Sequence, residues 1–402
     1  MGTLVTGSVL IDGTGSAPIS DGAVLIEGNR IIAVGPRSEI ARHESQHSVL
    51  DTPGGAVIPG LINLHDHVHR HELQRPRPGW TYREHGDAIE NERDSFLVLK
   101  AAHCQYKQLR TGVTTVRDVG CRSHFVLDLK RALDEGVVPG PRIFACGQAV
   151  IMTGGHGLKG CEADGPDEAR KAARKQLRAG ADFIKLMATG GLLNAPDENP
   201  GALELTVDEM SAAAEEAHAV GRPVTAHAHA AEGIKEAIRA GLDGIEHGSF
   251  IDEEGIELCL EHGVTLTPTL SGIWHYGQYS SDSGRGPVAD VVRRAIDAGQ
   301  QNIKRAIEAG VQIGVGTDPA GIVAEEIEML NALGMDAMAC ITAATRVSAK
   351  ALHMDQELGT LEPGKLADVV VLGSNPLENI KAFYDARIVV KDGEVYDGIP
   401  AR

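Results

Sequence analysis

The stretch 57-VIPGLINLHDHVH-69 places three histidines directly after a run of aliphatic side chains. The apolar residues up to Leu64 predict a buried strand, and the polar side chains begin at His65. Side chains two positions apart in a strand lie on one face, so the imidazoles of His65 and His67 point together and Asp66 points away. The stretch therefore predicts a buried strand that delivers two imidazole groups to a single point.

Short apolar runs of the same kind recur along the chain and alternate with helical patterns. The predicted strands are Ala56–Leu64, Thr114–Arg117, Arg142–Val150, Phe183–Met187, Val224–His227, Gly244–His247, Thr265–Thr269 and Gln312–Gly316. The helical patterns include Pro166–Arg178, Val207–Val220, Ala231–Ala240, Asp252–His262 and Val288–Ala309. This alternation predicts a parallel sheet in an α/β protein, and eight strands favour a (β/α)8 TIM barrel. A doubly wound sheet would carry a glycine-rich phosphate loop after its first strand, where this chain has histidines.

The two ends of the chain are rich in short strand patterns separated by turn signals. These strands are Leu4–Ile11, Gly22–Ile26, Arg30–Val34, Leu366–Leu372, Ala386–Val390 and Glu394–Tyr396. We interpret them as a small β-sandwich domain built from residues 1–56 and 351–402, with the barrel at residues 57–350 inserted between them. Two independent β-rich flaps are the alternative.

Composition limits the classes of partner. A formal charge of −18 argues against a nucleic-acid partner, because the phosphate backbone would be repelled. No run approaches the ~18 apolar residues of a membrane-spanning helix, and the N-terminal sequence lacks the features of a signal peptide. Six scattered cysteines without a CxxC pair predict reduced thiols rather than disulfides. We therefore expect a cytoplasmic protein with a small-molecule ligand and no membrane or nucleic-acid partner.

Four later strands also carry or end in side chains that can bind metals. These side chains are Lys185 in 183-FIKLMATGG-191, His227 and His229 in 225-TAHAH-229, His247 and Asp318. The carboxyl ends of barrel strands meet at one mouth, and imidazole and carboxylate are the usual ligands of a catalytic divalent metal. Lys185 is expected either to form a salt bridge or to react with CO2, which would turn its amine into a carboxylate able to bridge two metals.

The motifs together resemble those of the amidohydrolase superfamily. They are 57-VIPGLINLHDH-67, 112-GVTTVRDVG-120, 153-TGGHG-157, 183-FIKLMATGG-191, 227-HAHAAEGIKEAIRAGLDGIEHG-248, 316-GTDPAG-321 and 358-LGTLEPGKLADVVVL-372. They are most similar to the imidazolonepropionase-related branch, which includes metal-dependent Xaa-Pro and Xaa-Arg dipeptidases. The resemblance covers nearly the whole chain and predicts a homo-oligomer.

The resemblance implies a site with two divalent metal ions, with zinc favoured by the ligand types. His65, His67 and Asp318 would hold the more buried metal, and a carbamate on Lys185 would bridge the two. His227 and His247 would hold the second metal, since the family's spacing selects His227 over His229. His229 then lies where relatives carry a polar group that contacts the substrate.

The implied reaction is hydrolysis of an amide-type C–N bond in a dipeptide, an N-acyl amino acid or a carbamate. Asp318 is expected to act as general base and acid, and His156 to stabilise the oxyanion. Tyr276 is expected to line the pocket. Residues 69–91 are expected to form a lid, with a solvated loop as the equal alternative. Arg117 and Asp118 are expected to pair with each other.

Three other functions compete with amide hydrolysis. Lys185 argues against a cyclic-amide hydrolase like imidazolonepropionase, which usually keeps one metal and lacks the bridging lysine. The stretch after His227 lacks the HxxE signature of an aromatic amine deaminase. An inactive scaffold is disfavoured because all the metal-ligand positions are filled.

Overall fold

The computed structural model describes residues 2–40, 47–70, 88–89, 91–157, 159–192, 199–282 and 286–401. The protein has a mixed α/β fold with parallel-strand sheets. The strands are β1 (Thr3–Leu10), β2 (Ile19–Glu27), β3 (Arg30–Pro36), β4 (Ser48–Pro59), β5 (Leu61–Asp66), β6 (Val113–Asp118), β7 (Arg142–Ala145), β8 (Val150–Ile151), β9 (Cys161–Glu162), β10 (Ile184–Met187), β11 (Val224–Ala228), β12 (Gly244–His247), β13 (Thr265–Thr267), β14 (Gln312–Ile313), β15 (Val369–Leu372), β16 (Ala386–Lys391) and β17 (Glu394–Asp397).

The helices lie mainly between the parallel strands. They are α1 (Arg37–Ile40), α2 (Asp94–Arg110), α3 (Phe125–Asp134), α4 (Pro166–Ala179), α5 (Val207–His218), α6 (Ala231–Arg239), α7 (Glu253–His262), α8 (Leu270–Asp282), α9 (Gly286–Ala309), α10 (Val323–Ala332), α11 (Ala337–Thr342) and α12 (Ser348–Ala351), with a π-helix at Ala343–Val347 and a 3-10 helix at Ile380–Tyr384.

Both ends of the chain contribute to one seven-stranded sheet, ordered β17-β16-β15-β4-β1-β2-β3. Strand β1 pairs antiparallel with β2 and parallel with β4, and β15 pairs antiparallel with β4. One face of this sheet buries β-branched residues from both termini, among them Val5, Val57 and Val369. The strand patterns at the two ends of the chain are therefore explained by one shared sheet.

The middle of the chain forms two groups of parallel strands. One sheet has the order β5-β6-β7 and the other β14-β13-β12-β11-β10-β8-β9. Backbone hydrogen bonds connect the two groups on both sides, from Leu64 N to Val315 O at 2.8 Å and from Asp182 N to Ala145 O at 2.8 Å. The strands that end in candidate ligands are thereby placed next to one another.

Two helices illustrate how local sequence sets the boundaries of the elements between the strands. Thr206 begins α5 with a capping box, in which its hydroxyl accepts from Glu209 N and the Glu209 carboxylate accepts from Thr206 N at 2.7 Å. Such a cap contributes about 0.5–2 kcal/mol. Helix α4 ends at Gly180, whose φ of 102° is readily available only to glycine.

Two strand predictions require correction. The predicted strand Ala56–Leu64 is divided at Gly60, where Gly60 N donates to Asp368 O and Leu61 N donates to Gly112 O. The first half therefore belongs to the terminal sheet and only β5 belongs to the parallel strands. The predicted strand Arg142–Val150 is interrupted because the chain turns at Gly147, which has a φ of 72°.

Three further predictions concern the cysteines, membrane-spanning helices and the lid. All six cysteines are free, as expected. None of the helices in the described part of the chain is both long and apolar enough to cross a membrane. The predicted lid lies largely outside the described residues, but His69 is buried and its ring lies edge-on to that of Phe125, with centroids 5.8 Å apart.

Gly60 lies where the chain passes from the terminal sheet to the parallel strands, and we predict that this position does not tolerate a larger residue. A Cβ at Gly60 would lie 2.7 Å from Thr114 Cγ2 and 3.0 Å from Asp368 Cβ. Because this space is closed on both sides, we expect Gly60→Ala to lower the free energy of unfolding by about 1–3 kcal/mol in urea denaturation. Gly35→Ala is the matched control, since its Cβ would meet only Ile40 Cδ1 at 3.7 Å. Equal midpoints for the two variants would contradict the prediction.

Candidate metal centre

The first group of candidate ligands joins the first and last parallel strands. His65 and His67 lie at the end of β5, and Asp318 follows β14. Their donor atoms lie within 4.8 Å of one another. The Nε2 atoms of His65 and His67 are 3.9 and 3.8 Å from Asp318 Oδ1. The structure therefore brings Asp318 next to two histidines that lie far earlier in the sequence.

The second group consists of His227, His229 and His247. They come from the ends of β11 and β12, are buried, and also offer donor atoms within 4.8 Å of one another. The His229 and His247 rings stack with centroids 4.7 Å apart, and the His227 ring lies edge-on to both. Both candidates for the fifth-strand ligand are thus part of the same group.

Most of these imidazoles have one ring nitrogen occupied by an outer partner. The pairs are His65 Nδ1 with Glu246 Oε2 at 2.7 Å, His67 Nδ1 with Gly120 O at 2.7 Å, His247 Nδ1 with Thr269 Oγ1 at 2.7 Å and His229 Nδ1 with Ser249 Oγ at 2.9 Å. In each ring the Nε2 atom is left for the centre. Metal-binding histidines show this arrangement, because the outer partner sets the tautomer and the ring orientation.

Lys185 lies on β10 and is only 2% exposed. Its Nζ is buried without a hydrogen-bond partner among the described residues. Burial lowers the pKa of this amine to about 8, against the opposing effect of Glu246. Its charge also acts on the pKa of His227 and of Asp318, so the amine is electrostatically coupled to both groups.

Glu246 is a site residue that sequence reasoning missed. Its carboxylate is fully buried on β12 and accepts hydrogen bonds from Arg117 Nη2 at 2.5 Å and from Thr225 Oγ1 at 2.5 Å, in addition to its contact with His65. Burial alone would raise the pKa of Glu246, but the charges of Arg117 and Lys185 outweigh it and hold that pKa below its ordinary value. The available signal was an acidic residue inside an apolar strand, next to His247.

The predicted pairing of Arg117 with Asp118 is wrong. The Arg117 guanidinium binds Glu246 and donates from Nε to Leu64 O at 2.6 Å. The Asp118 carboxylate instead accepts from Val68 N at 2.9 Å. Neighbouring side chains on a strand point to opposite faces, which explains why these two do not meet.

Asp318 is held by an unusual backbone and by a tyrosine. It is a non-glycine residue with a φ of 53°. Burial raises its pKa and the charge of His65 opposes that rise, as does a hydrogen bond from Tyr276. Tyr276, expected to line the pocket, is itself 4% exposed, so its hydroxyl orients the carboxylate from within the protein.

His156 lies beside the second group. Its backbone N donates to Glu204 Oε1 at 2.9 Å, which fixes the glycine-rich turn around it. Its ring stacks on that of His227, with centroids 4.2 Å apart and planes 28° apart. The turn that follows β8 therefore presents an imidazole to the centre.

The donor set fits divalent metal ions. Each group offers imidazole nitrogen, the first adds a carboxylate oxygen, and both ligand types are those of catalytic zinc sites. The buried amine of Lys185 has no hydrogen-bond partner in the part of the chain that the structure describes, as expected of a group whose partner is not a side chain.

Comparison with known proteins agrees with this chemistry. The profile of the amidohydrolase family matches residues 56–395. The chain belongs to the amidohydrolase family. Ochratoxinase of Aspergillus niger is 30% identical over 437 residues, which cover 98% of this chain and 87% of that protein.

Two solved structures superpose over nearly the whole chain. The structure of a Xaa-Pro dipeptidase with methionine bound in its active site is 30% identical, with a TM-score of 0.84, and covers 99% of this chain and 100% of that one. A prolidase complexed with N-methylphosphonate-L-proline is 27% identical, with a TM-score of 0.87 and the same coverage. This amidohydrolase is thus a metal-dependent enzyme that cleaves C–N bonds by hydrolysis.

The Arg117–Glu246 pair predicts strong coupling between two buried charges. Glu246→Leu leaves the guanidinium buried without its anion, so we expect the free energy of unfolding to fall by about 3–5 kcal/mol. Arg117→Leu should cost a similar amount. The double variant should lose clearly less than the sum of the two, because it leaves neither member of the pair buried alone. Additive losses in a urea-denaturation cycle would contradict this interpretation.

Proposed function

We propose that this amidohydrolase uses two divalent metal ions to hydrolyse an amide bond in a dipeptide or an N-acyl amino acid, with carbamates as a related class. The observation that carries the proposal is the buried Lys185 amine, which has no hydrogen-bond partner among the described residues and is coupled to both ligand groups. A carbamate at this position would place a carboxylate between the groups. The relatives named as a Xaa-Pro dipeptidase and a prolidase support the dipeptide class.

The ligand assignment follows the two groups. His65, His67 and Asp318 would hold one metal, and His227 and His247 would hold the other, with the carbamate of Lys185 shared. All of these side chains are at most a quarter exposed. Zinc as the resident metal, the carbamate and self-association of the chain are parts of this proposal.

Divalent cations held here would supply a hydroxide near neutral pH and polarise the scissile carbonyl. The protein's own contribution to proton transfer is Asp318. Its carboxylate lies beside the Nε2 atoms of His65 and His67, and burial raises its pKa toward the range useful for a general base. Asp318 would accept a proton from the attacking water and return it to the leaving nitrogen, while Tyr276 keeps the carboxylate oriented.

Two further histidines are suited to the substrate. His156 would donate a hydrogen bond to the carbonyl oxygen as negative charge develops on it. His229 would donate from Nε2 to a carboxylate of the substrate, because its Nδ1 is occupied by Ser249. Burial lowers the pKa of His229 to about 3, so the imidazole is neutral and acts as a hydrogen-bond donor rather than as a cation.

The parallel strands are proposed to close into a (β/α)8 barrel, and the terminal segments to form a separate β domain. The bond from Leu64 N to Val315 O supports closure on one side, and the bond from Asp182 N to Ala145 O supports it on the other. Strand β4 continues past residue 56 to Pro59, so the boundary between the domains is placed at Gly60.

The cyclic-amide alternative is less well supported by the site. A single-metal hydrolase has no use for a buried amine coupled to a second group of imidazoles, and burying such an amine without a partner is costly. Metal stoichiometry separates the two functions directly, since the alternative predicts one ion per chain.

Lys185→Ala tests the proposed bridge. The wild-type protein should contain two metal ions per chain by plasma mass spectrometry, and should hydrolyse members of a panel of dipeptides and N-acyl amino acids. Loss of the bridge should lower metal affinity and turnover by at least about 100-fold, because both ions lose a ligand. Lys304→Ala, which removes a lysine that is 55% exposed, is the control. Full metal content and turnover in Lys185→Ala would overturn the bridge.

His229→Ala separates a substrate contact from a metal ligand. If His229 binds the substrate carboxylate, its loss should raise KM about 10-fold or more for acids, with little change for the matching C-terminal amides, and metal content should stay at two. A loss of one metal ion would instead make His229 a ligand in place of His227. His227→Ala is the matched comparison, since that variant is expected to lose a metal ion.

A further inference from the structure

Residues 118–120, at the end of β6, form hydrogen bonds with residues 66–68, of which His67 is the middle one. Val119 N donates to Asp66 O at 2.9 Å, and Asp118 Oδ1 accepts from Val68 N at 2.9 Å. The backbone on both sides of His67 is therefore held by the residue pair 118–119. The His67 ring is held by the next residue, because its Nδ1 lies 2.7 Å from Gly120 O.

The Asp118 side chain links these contacts to one another. Its carboxylate accepts from Val68 N and also from the backbone N–H of Gly120, whose carbonyl binds the His67 ring. A single carboxylate thus connects the backbone that follows His67 to the residue that orients its imidazole. Without that connection, the turn and the Gly120 carbonyl could shift relative to each other.

Burying the Asp118 carboxyl group costs free energy that a purely structural role does not explain. It is 0% exposed, and its Oδ2 has no hydrogen-bond partner among the described residues. The groups that act on it are a second carboxylate, that of Asp66, and two backbone N–H groups. A buried carboxyl group with no cationic partner costs several kcal/mol by general estimates, so a role beyond packing is indicated.

We propose that Asp118 is a positioning residue that sets the orientation of His67 and thereby the affinity of the metal held by His65, His67 and Asp318. The inference rests on the proposed two-metal function. Asp118 does not touch the metal or the substrate in this arrangement; it acts through the Val68 and Gly120 backbone. Outer residues of this kind typically contribute 10–100-fold to metal affinity.

The test compares Asp118→Ala with Asp118→Asn. Alanine removes the acceptor for Val68 N, whereas asparagine keeps an acceptor oxygen of the same reach. The metal-free proteins are titrated with Zn²⁺ against a chelator, and Co²⁺-loaded proteins are compared by visible absorption. We expect Asp118→Ala to bind one ion as the wild type does and the other 10–100-fold more weakly. Asp118→Asn should restore affinity to within a few fold.

A matched control comes from the opposite end of the parallel strands. Asp243 Oδ2 also accepts from a backbone N–H, that of Val224, at 2.8 Å, but far from the ligands. Asp243→Ala should leave both metal affinities unchanged. Equal weakening in Asp118→Ala and Asp243→Ala would reduce Asp118 to general stability and overturn the proposal.

The remaining outcomes separate this inference from the function it rests on. Wild-type affinity at both sites in Asp118→Ala overturns the positioning role and leaves the two-metal function standing. A wild-type protein that binds no metal overturns the two-metal function, and the positioning role falls with it. Failure of Asp118→Asn to restore affinity would show that the charge, rather than the acceptor geometry, matters and would also contradict the proposal.

Discussion

The contact on which the site depends is made by one carbonyl oxygen. The backbone O of His65 accepts from Thr317 N at 3.1 Å and from Asp318 N at 2.8 Å. This contact fastens the end of β5 to the segment that follows β14. It places Asp318 beside two imidazoles that precede it by most of the length of the chain. The apolar packing of the strands supplies the energy, but these two hydrogen bonds determine which side chains meet.

The electrostatics of the centre follow from this crowding. Burial lowers the pKa of His67, His227 and His247 well below the ordinary value, and the closeness of other imidazoles and of basic side chains disfavours their protonation further. Neutral imidazoles at neutral pH are ligands in the form that metals require. The two acids differ in their partners. Glu246 is paired with Arg117, whereas Asp318 has no Arg or Lys ion pair among the described residues. The Glu246 carboxylate is thereby held in a structural ion pair, and the Asp318 carboxylate is not.

The sequence predicted the periodic features of this protein better than the contacts between distant residues. Strand–helix alternation and the spacing of His65 and His67 are local, so both could be inferred from a single chain. The division of the strand at Gly60 depends on Asp368 and Gly112, which approach only in the folded state. The role of Glu246 likewise depends on a guanidinium from another strand, and adjacent residues such as Arg117 and Asp118 have their partners on opposite faces of β6.

Two candidate ligands lie in strained backbone. His247 and Asp318 both have positive φ, 73° and 53°, which costs a non-glycine residue about 1–2 kcal/mol. Each belongs to a different ligand group, and each is held by backbone bonds, from Gly248 N to Ala228 O at 3.0 Å and from Asp318 N to His65 O at 2.8 Å. Glycine at either position would relieve the strain but remove the candidate ligand. The same strain in both groups indicates that the two halves of the centre were shaped by one requirement, the convergence of donor atoms at the ends of the strands.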